Sequence, residues 1–202
     1  MRNLVPVDER ELLWQFAFSE NDSLSRHGDA WRERLGPRVS KMLQRGARRE
    51  LEDSDWLLIR KVLMDVRGWY LETLLAAAPN WSIGRFSVPE LGAVRLIRHE
   101  PFTAIAPSRR LGDFVAALDS GRDTPGDRFA MRYRRLRPKF VFAKVRGIPI
   151  LVAGGIRGPF TEVDGLTRMS ILYSRWKMGE TIPEDIRVLL GLSDRLPVWS
   201  HF

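Results

Sequence analysis

Gly158-Pro159-Phe160-Thr161-Glu162-Val163-Asp164-Gly165-Leu166-Thr167-Arg168-Met169-Ser170-Ile171-Leu172 is the stretch on which the reading of this chain turns. It reads as a short strand, a glycine turn and a helix whose first turn carries Thr167 and Arg168. A helix start exposes backbone N–H groups that have no intrahelical acceptor, together with the positive end of the peptide dipoles. It therefore favours an anion such as phosphate. Arg168 adds a planar fork of donors that matches phosphate oxygens. The plainer reading of the same residues is a junction in which Asp164 caps the helix, Gly165 is a turn glycine and Arg168 lies on the surface.

The strand before it strengthens the first reading. Pro149-Ile150-Leu151-Val152 and Phe160-Thr161-Glu162-Val163-Asp164 pattern as a hairpin that delivers the turn, with Ala153 to Gly158 as its loop. Gly154-Gly155 is not a Walker loop, because no Gly-Lys-Ser/Thr follows. Further out, the pattern predicts a helix from Leu166 to about Lys177 and a strand at Ile186 to Leu190, then a tail ending in Trp199. On the upstream side it predicts a strand at Ala93 to Arg98, a helix at Leu111 to Leu118 closed by Gly121, a loop over Asp119 to Gly126 and a helix from Arg128 to Leu136.

The first 80 residues read as helical. Asp8-Glu9-Arg10-Glu11 has capping-box spacing ahead of Leu12, Leu13, Trp14, Phe16 and Ala17. A second helix is predicted over about Asp29 to Gln44, with Pro37 as a place to kink. A third runs from a cap near Asp53 or Ser54 to Ala78, where Pro79 stops it. These features divide the chain into a helical N-terminal region, 1–82, and an α+β domain, 83–202. We read the first as a helical layer packed on a small mixed sheet.

Composition narrows the function classes. With 202 residues, 44% of them hydrophobic, and seven tryptophans, the chain has the material for a packed core. It has no cysteine, which removes disulfides, thiol nucleophiles and thiolate zinc sites. Three scattered histidines, His27, His99 and His201, argue against a histidine metal site. No stretch approaches the roughly 20 apolar residues of a membrane span, and Met1-Arg2-Asn3-Leu4-Val5-Pro6 lacks the apolar core of a secretion signal. A cytoplasmic protein with no membrane partner is the expectation, its oligomeric state open. The tryptophans are assigned to the core, and no Ser-His-Asp arrangement is supported by spacing.

The net charge of +8 is concentrated. Residues 122–146 hold nine Arg and Lys against Asp123 and Asp127. Arg128, Arg132 and Arg135 fall on one face of the predicted helix, while Phe129, Tyr133 and Leu136 fall on another, and Arg137 and Lys139 follow. A charge run is usually just a solvated face, but here few acids are near enough to offset it. These five cations are candidate nucleic-acid contacts, with Tyr133, Phe140 and Phe142 available either to stack on bases or to pack in the core.

The hairpin and turn together resemble the ParB/sulfiredoxin-like superfamily, in which a strand ending in Asp or Glu is followed by Gly-x-x-Arg opening a helix. The matching residues are Asp164, Gly165, Thr167 and Arg168, with Ile171-Leu172 behind them. Leu96-Ile97-Arg98-His99-Glu100, then Ser108-Arg109-Arg110-Leu111-Gly112-Asp113-Phe114 and Asp119-Ser120-Gly121, look like the first strand and helix of the same domain. The resemblance covers about residues 90–192.

It implies a nucleotide, ATP or CTP, whose phosphates sit on Gly165, Thr167 and Arg168 with Arg109 and Arg110 nearby. It also implies Mg²⁺, with Asp164 as metal or hydroxyl ligand and Glu100 as catalytic base. Many members carry His or Arg where this chain has Thr167. The implied function is a nucleotide-dependent phosphotransferase or nucleotide hydrolase. The alternative is a non-catalytic nucleic-acid-binding protein that uses residues 122–146. A third is a component of a larger assembly docked through the tryptophan-rich helices.

Overall fold

The computed structural model describes residues 2–21, 28–77, 79–122, 127–141 and 147–196. The fold is α+β, and the chain divides into two compact units, one of residues 7–78 and one that joins the N-terminal residues up to Pro6 to everything from Pro79 onward.

The helical unit contains α1 (Glu9–Glu20), α2 (Gly28–Arg45), α3 (Asp53–Arg67) and α4 (Trp69–Ala76). Asp8 caps α1, its carboxylate accepting from the Glu11 N–H at 3.2 Å, and Leu12, Leu13, Trp14, Phe16 and Ala17 are buried behind it. The break expected at Pro37 falls one residue earlier. Gly36 leaves the helical region at φ 73°, ψ 167°, because the proline ring bars its predecessor from the α conformation.

The single helix expected from Asp53 to Ala78 is in fact two. Gly68, at φ 56° and ψ −144°, closes α3 by donating to the Met64 carbonyl and then opens α4. Apolar spacing continues on both sides of Gly68, so periodicity alone does not expose the break. The cap also lies earlier than expected: Glu52 and Asp55 form a reciprocal capping box, with the Glu52 N–H donating to Asp55 Oδ2 at 2.8 Å.

Six arginines in this unit are matched by acids. Arg10 pairs with Asp53 at 2.7 Å, Arg48 with Glu11 at 2.6 Å, Arg67 with Glu20 at 2.7 Å and Arg60 with Glu9 at 3.2 Å; Arg34 pairs with Asp65 and Arg38 with Asp55. Arg10 and Arg48 each lie 5.8 Å from the Trp56 ring centre.

The second unit holds β1 (Arg2–Pro6), β2 (Asn80–Ser87), α5 (Glu100–Ile105), α6 (Leu111–Asp119), α7 (Arg128–Leu136), β3 (Ile150–Ala153), β4 (Thr161–Asp164), α8 (Leu166–Lys177) and β5 (Asp185–Leu192). Its mixed sheet has the order β1-β2-β5-β3-β4. The hairpin read from the sequence is present, β3 and β4 pairing antiparallel. β5, last in the chain, inserts between β2 and β3. It is antiparallel to β2 (Ile83↔Leu189) and parallel to β3 (Leu151↔Leu190).

Phe86, Leu151, Val188 and Leu190 of the sheet form one core with Leu111, Phe114 and Leu118 of α6, Tyr133 of α7 and Met169 and Leu172 of α8. Each such side chain contributes about 1.5–3 kcal/mol when fully buried.

The strand expected at Ala93 to Arg98 reduces to one residue. Pro89–Ala93 is a 3₁₀ turn, and only Arg95 joins the sheet edge, donating to the Phe160 carbonyl and accepting from the Glu162 N–H, both at 2.8 Å. Leu96 already turns away, donating its N–H to the Arg109 carbonyl at 2.7 Å. A run with Val94 and Leu96 buried and Arg95 exposed has strand-like alternation without a strand's length.

Candidate functional site

The hairpin positions the site. β3 and β4 carry the chain to Asp164, Gly165 turns it at φ 99°, ψ 12°, and α8 begins at Leu166. That left-handed turn belongs to glycine, and space enforces the choice a second time. A Cβ on Gly165 would lie 3.0 Å from both Cα and Cβ of Pro149, at the foot of β3, and 3.3 Å from Nη2 of Arg168.

Asp164 does not cap the helix. Its Oδ2 faces Nη2 of Arg168 one turn on, at 3.4 Å, with the two side chains 14% and 17% exposed. The Arg168 guanidinium therefore folds back over the turn toward Asp164 and Gly165. The N–H groups of Leu166 and Thr167 have no hydrogen-bond acceptor among the described residues. Orphan donors, a positive dipole end and a part-buried arginine thus meet within one turn of helix. Thr167, half-buried in that turn, adds a hydroxyl.

Glu100 is the first residue of α5. Its exposed carboxylate has no hydrogen-bond or ion-pair partner among the described residues. It makes no hydrogen bond or ion pair with Asp164 or Arg168.

Arg109 stands at φ 59°, and its Nε and Nη2 both donate to the Leu96 carbonyl, at 3.0 and 2.7 Å, which ties the loop before α6 to the sheet edge. Burial, with Arg98 and Arg95 close by, lowers its pKa below the ordinary arginine value. Arg110 is exposed at the start of α6, and its backbone bridges to Arg95. Arg95 and Arg98 are cations beside Arg109 that the sequence reading did not select. The alternation in Val94-Arg95-Leu96-Ile97-Arg98 is the signal that could have found them.

Among the described residues no three His, Asp or Glu side chains converge as a metal site. An open hollow of about 700 Å³ along α2 is lined by Arg32, Glu33, Gly36, Pro37, Ser40, Lys41 and Gln44, none of them a candidate site residue.

The basic helix spans the expected Arg128 to Leu136. Tyr133 is buried, as its apolar-face position suggested, and Phe129 packs edge-on against Phe102 at 5.8 Å. Packing thus claims Tyr133, and Phe140 packs partly buried against the same core. Phe142, Lys144 and Arg146 lie outside the described residues.

Arg137, half-buried, is held by groups within the fold. Its Nε donates to Ser174 Oγ at 3.0 Å and lies 3.9 Å from Asp119 Oδ1, and its guanidinium also meets the Met178 sulfur. Asp119 is the hub of this network. It accepts from Tyr133 Oη at 2.6 Å and from Ser174 Oγ at 2.7 Å, linking α6, α7 and α8. Arg128, Arg135 and Lys139 remain exposed, while Arg132 is half-buried.

Burial, reinforced by Asp119, raises the Tyr133 pKa well above the ordinary tyrosine value. The folded state therefore holds this proton more tightly than the unfolded chain. The stabilisation is complete below the unfolded pKa of about 10 and is lost as pH rises through the folded value. Urea midpoints measured between about pH 9 and 11 should fall more steeply in the parent protein than in Tyr133→Phe; equal slopes would refute the coupling.

Compared with models of protein families, with curated proteins and with solved structures, the chain matches none.

Proposed function

We propose that the chain binds a nucleotide through its phosphates at the start of α8, as a ParB/sulfiredoxin-like domain, and acts as a phosphotransferase or nucleotide hydrolase. One observation carries this reading. The turn leaves the Leu166 and Thr167 N–H groups without an acceptor among the described residues, while Arg168 folds back toward Gly165 and Asp164. Phosphate oxygens satisfy such donors, and the guanidinium supplies a second, charge-assisted set. The 3.4 Å contact with Asp164 is long for a charged pair.

The remaining roles follow from the chemistry of the groups. Thr167 donates its hydroxyl to phosphate. Glu100 takes the proton from the attacking hydroxyl or water as the new P–O bond forms and the bond to the leaving phosphate breaks. Arg110 and Arg109 add positive potential. Asp164, a single carboxylate, suits Mg²⁺ held mainly by nucleotide phosphates and water. The ion's contribution would be to neutralise phosphate charge.

Thermal-shift measurements with ATP, CTP and GTP, each with Mg²⁺, test the reading. A ligand at 100 times its Kd stabilises by about 2.7 kcal/mol, and Arg168→Ala should abolish that shift. A shift that survives Arg168→Ala would refute the phosphate clamp. Glu100→Gln should keep the shift and lose turnover.

A further inference from the structure

Arginines of both units meet acids, Arg85 facing Asp185 and Arg175 facing Glu180 in the second. In the helical unit, Arg10, Arg34, Arg38, Arg48, Arg60 and Arg67 each face an Asp or Glu. On and just after α7, Arg128, Arg135 and Lys139 are exposed and take no hydrogen-bond or ion-pair partner among the described residues. Arg137, between them in the chain, is consumed by the Asp119–Ser174 network, which together with the buried Tyr133 clamps α7 onto α6 and α8. The helix so held presents an uncompensated positive stripe. Its members repel one another, and nothing described on that face offsets the repulsion.

We propose that this face of α7 is a docking surface for the phosphate backbone of duplex nucleic acid, read without sequence preference. Arg128 and Arg135 are separated by about 10 Å along the helix axis, and a duplex presents about one charge per 1.7 Å of its axis, so several phosphates fall within reach. Lys139 extends the stripe into the next turn. Arginine suits the task because its fork matches phosphate oxygens and its charge persists.

A lipid surface fits less well. Met131 is the one large apolar side chain exposed on α7, whereas an interfacial helix needs a continuous apolar face to bury. The face of α7 opposite the stripe is already spent on the core through Ala130 and Tyr133. This surface uses none of the residues of the α8 phosphate site and stands or falls separately from it.

The test is anisotropy of a short labelled DNA duplex of arbitrary sequence, titrated at several salt concentrations. The parent chain should bind with affinity that falls linearly in log–log form. Arg128→Ala/Arg135→Ala/Lys139→Ala should reduce the slope by about 2.7, so that between about 50 and 200 mM salt the parent loses about 40-fold more affinity than the variant.

The conservative pair Arg128→Lys/Arg135→Lys should keep the slope, and Arg168→Ala should bind duplex as the parent does. Circular dichroism of the triple variant should match the parent, since none of the three side chains holds the fold. The proposal is overturned if duplex binding is absent, if the triple variant binds with an unchanged slope, if the lysine pair loses binding as fully as the alanine variant, or if phosphatidylserine vesicles bind where duplex does not.

Discussion

Gly165→Ala should lower stability by about 2–4 kcal/mol and remove nucleotide-induced stabilisation together. Two costs add. Holding alanine at a left-handed φ of 99° costs about 1 kcal/mol. The new methyl group, 3.0 Å from Pro149 Cα and Cβ, adds about 1–3 kcal/mol of overpacking, because the nearest atom belongs to backbone and has little freedom to move. The same methyl group presses on Arg168 Nη2 at 3.3 Å, so the guanidinium must shift from its place over the turn.

Gly121→Ala provides the comparison. Gly121 has φ 70°, and a methyl group there would meet nothing within 4 Å, so the substitution should cost only the conformational part, about 1 kcal/mol. Urea denaturation of the two variants checks this. If Gly165→Ala proves as mild as Gly121→Ala, the close approach of Pro149 is not what demands a glycine there.

The second large effect is expected at Asp119. Asp119→Ala deprives the buried Tyr133 hydroxyl and the Ser174 hydroxyl of their acceptor and leaves Arg137 without its carboxylate, at separations of 2.6, 2.7 and 3.9 Å respectively. A buried donor left unsatisfied costs about 1–3 kcal/mol. With the weaker, partly exposed Arg137 interaction included, the total should be about 3 kcal/mol. Tyr133→Phe removes one donor and leaves Asp119 its other partners, so about 1 kcal/mol is expected.

The two changes share a bond and should not add. The double variant should lose less than the sum of the singles, as a double-mutant cycle of urea midpoints would show. Additive losses would mean the hydroxyl and the carboxylate do not act as one unit. Because the network clamps α7, Asp119→Ala should also weaken duplex binding, whereas Tyr133→Phe should affect it less.

Some of this architecture is legible in the residues alone. α7 and α8 appear at the limits their patterns suggest, Arg128 to Leu136 and Leu166 to Lys177, because each combines a strong amphipathic pattern with an evident start. Asp127 caps α7, its side chain accepting from the Ala130 N–H at 2.7 Å, and Gly165 precedes α8. The β3–β4 hairpin is equally legible, two short apolar runs around a glycine-rich loop. The core role of Tyr133 follows from its place on the apolar face.

Other features are hidden for physical reasons. β1 and β2 escape a sequence reading because Arg-Asn-Leu-Val-Pro carries little alternation, and because Trp81 to Ser87 is interrupted by Gly84 and acquires its strand identity from pairing with β5 about 100 residues later. The split between α3 and α4 lies within unbroken apolar spacing. Asp119 reads as a loop residue because its partners lie 14 and 55 positions away. Arg137 looks like one more member of a basic run for the same reason.

The amino-acid sequence by itself determined the α+β class, the hairpin, the helices on either side of it and the glycine turn with Arg168 in the following helical turn. Each of these rests on contacts between residues a few positions apart, where periodicity and turn chemistry act. Only the tertiary structure decided which polar groups are already spent. It turned Asp164 from a helix cap into a partner of Arg168, tied Arg109 to the Leu96 carbonyl and drew Arg137 into the Asp119 network. It left the Leu166 and Thr167 N–H groups of α8 and the side chains of Arg128 and Arg135 without partners among the described residues. A side chain's availability depends on neighbours that folding brings from far along the chain, and local sequence carries little record of them.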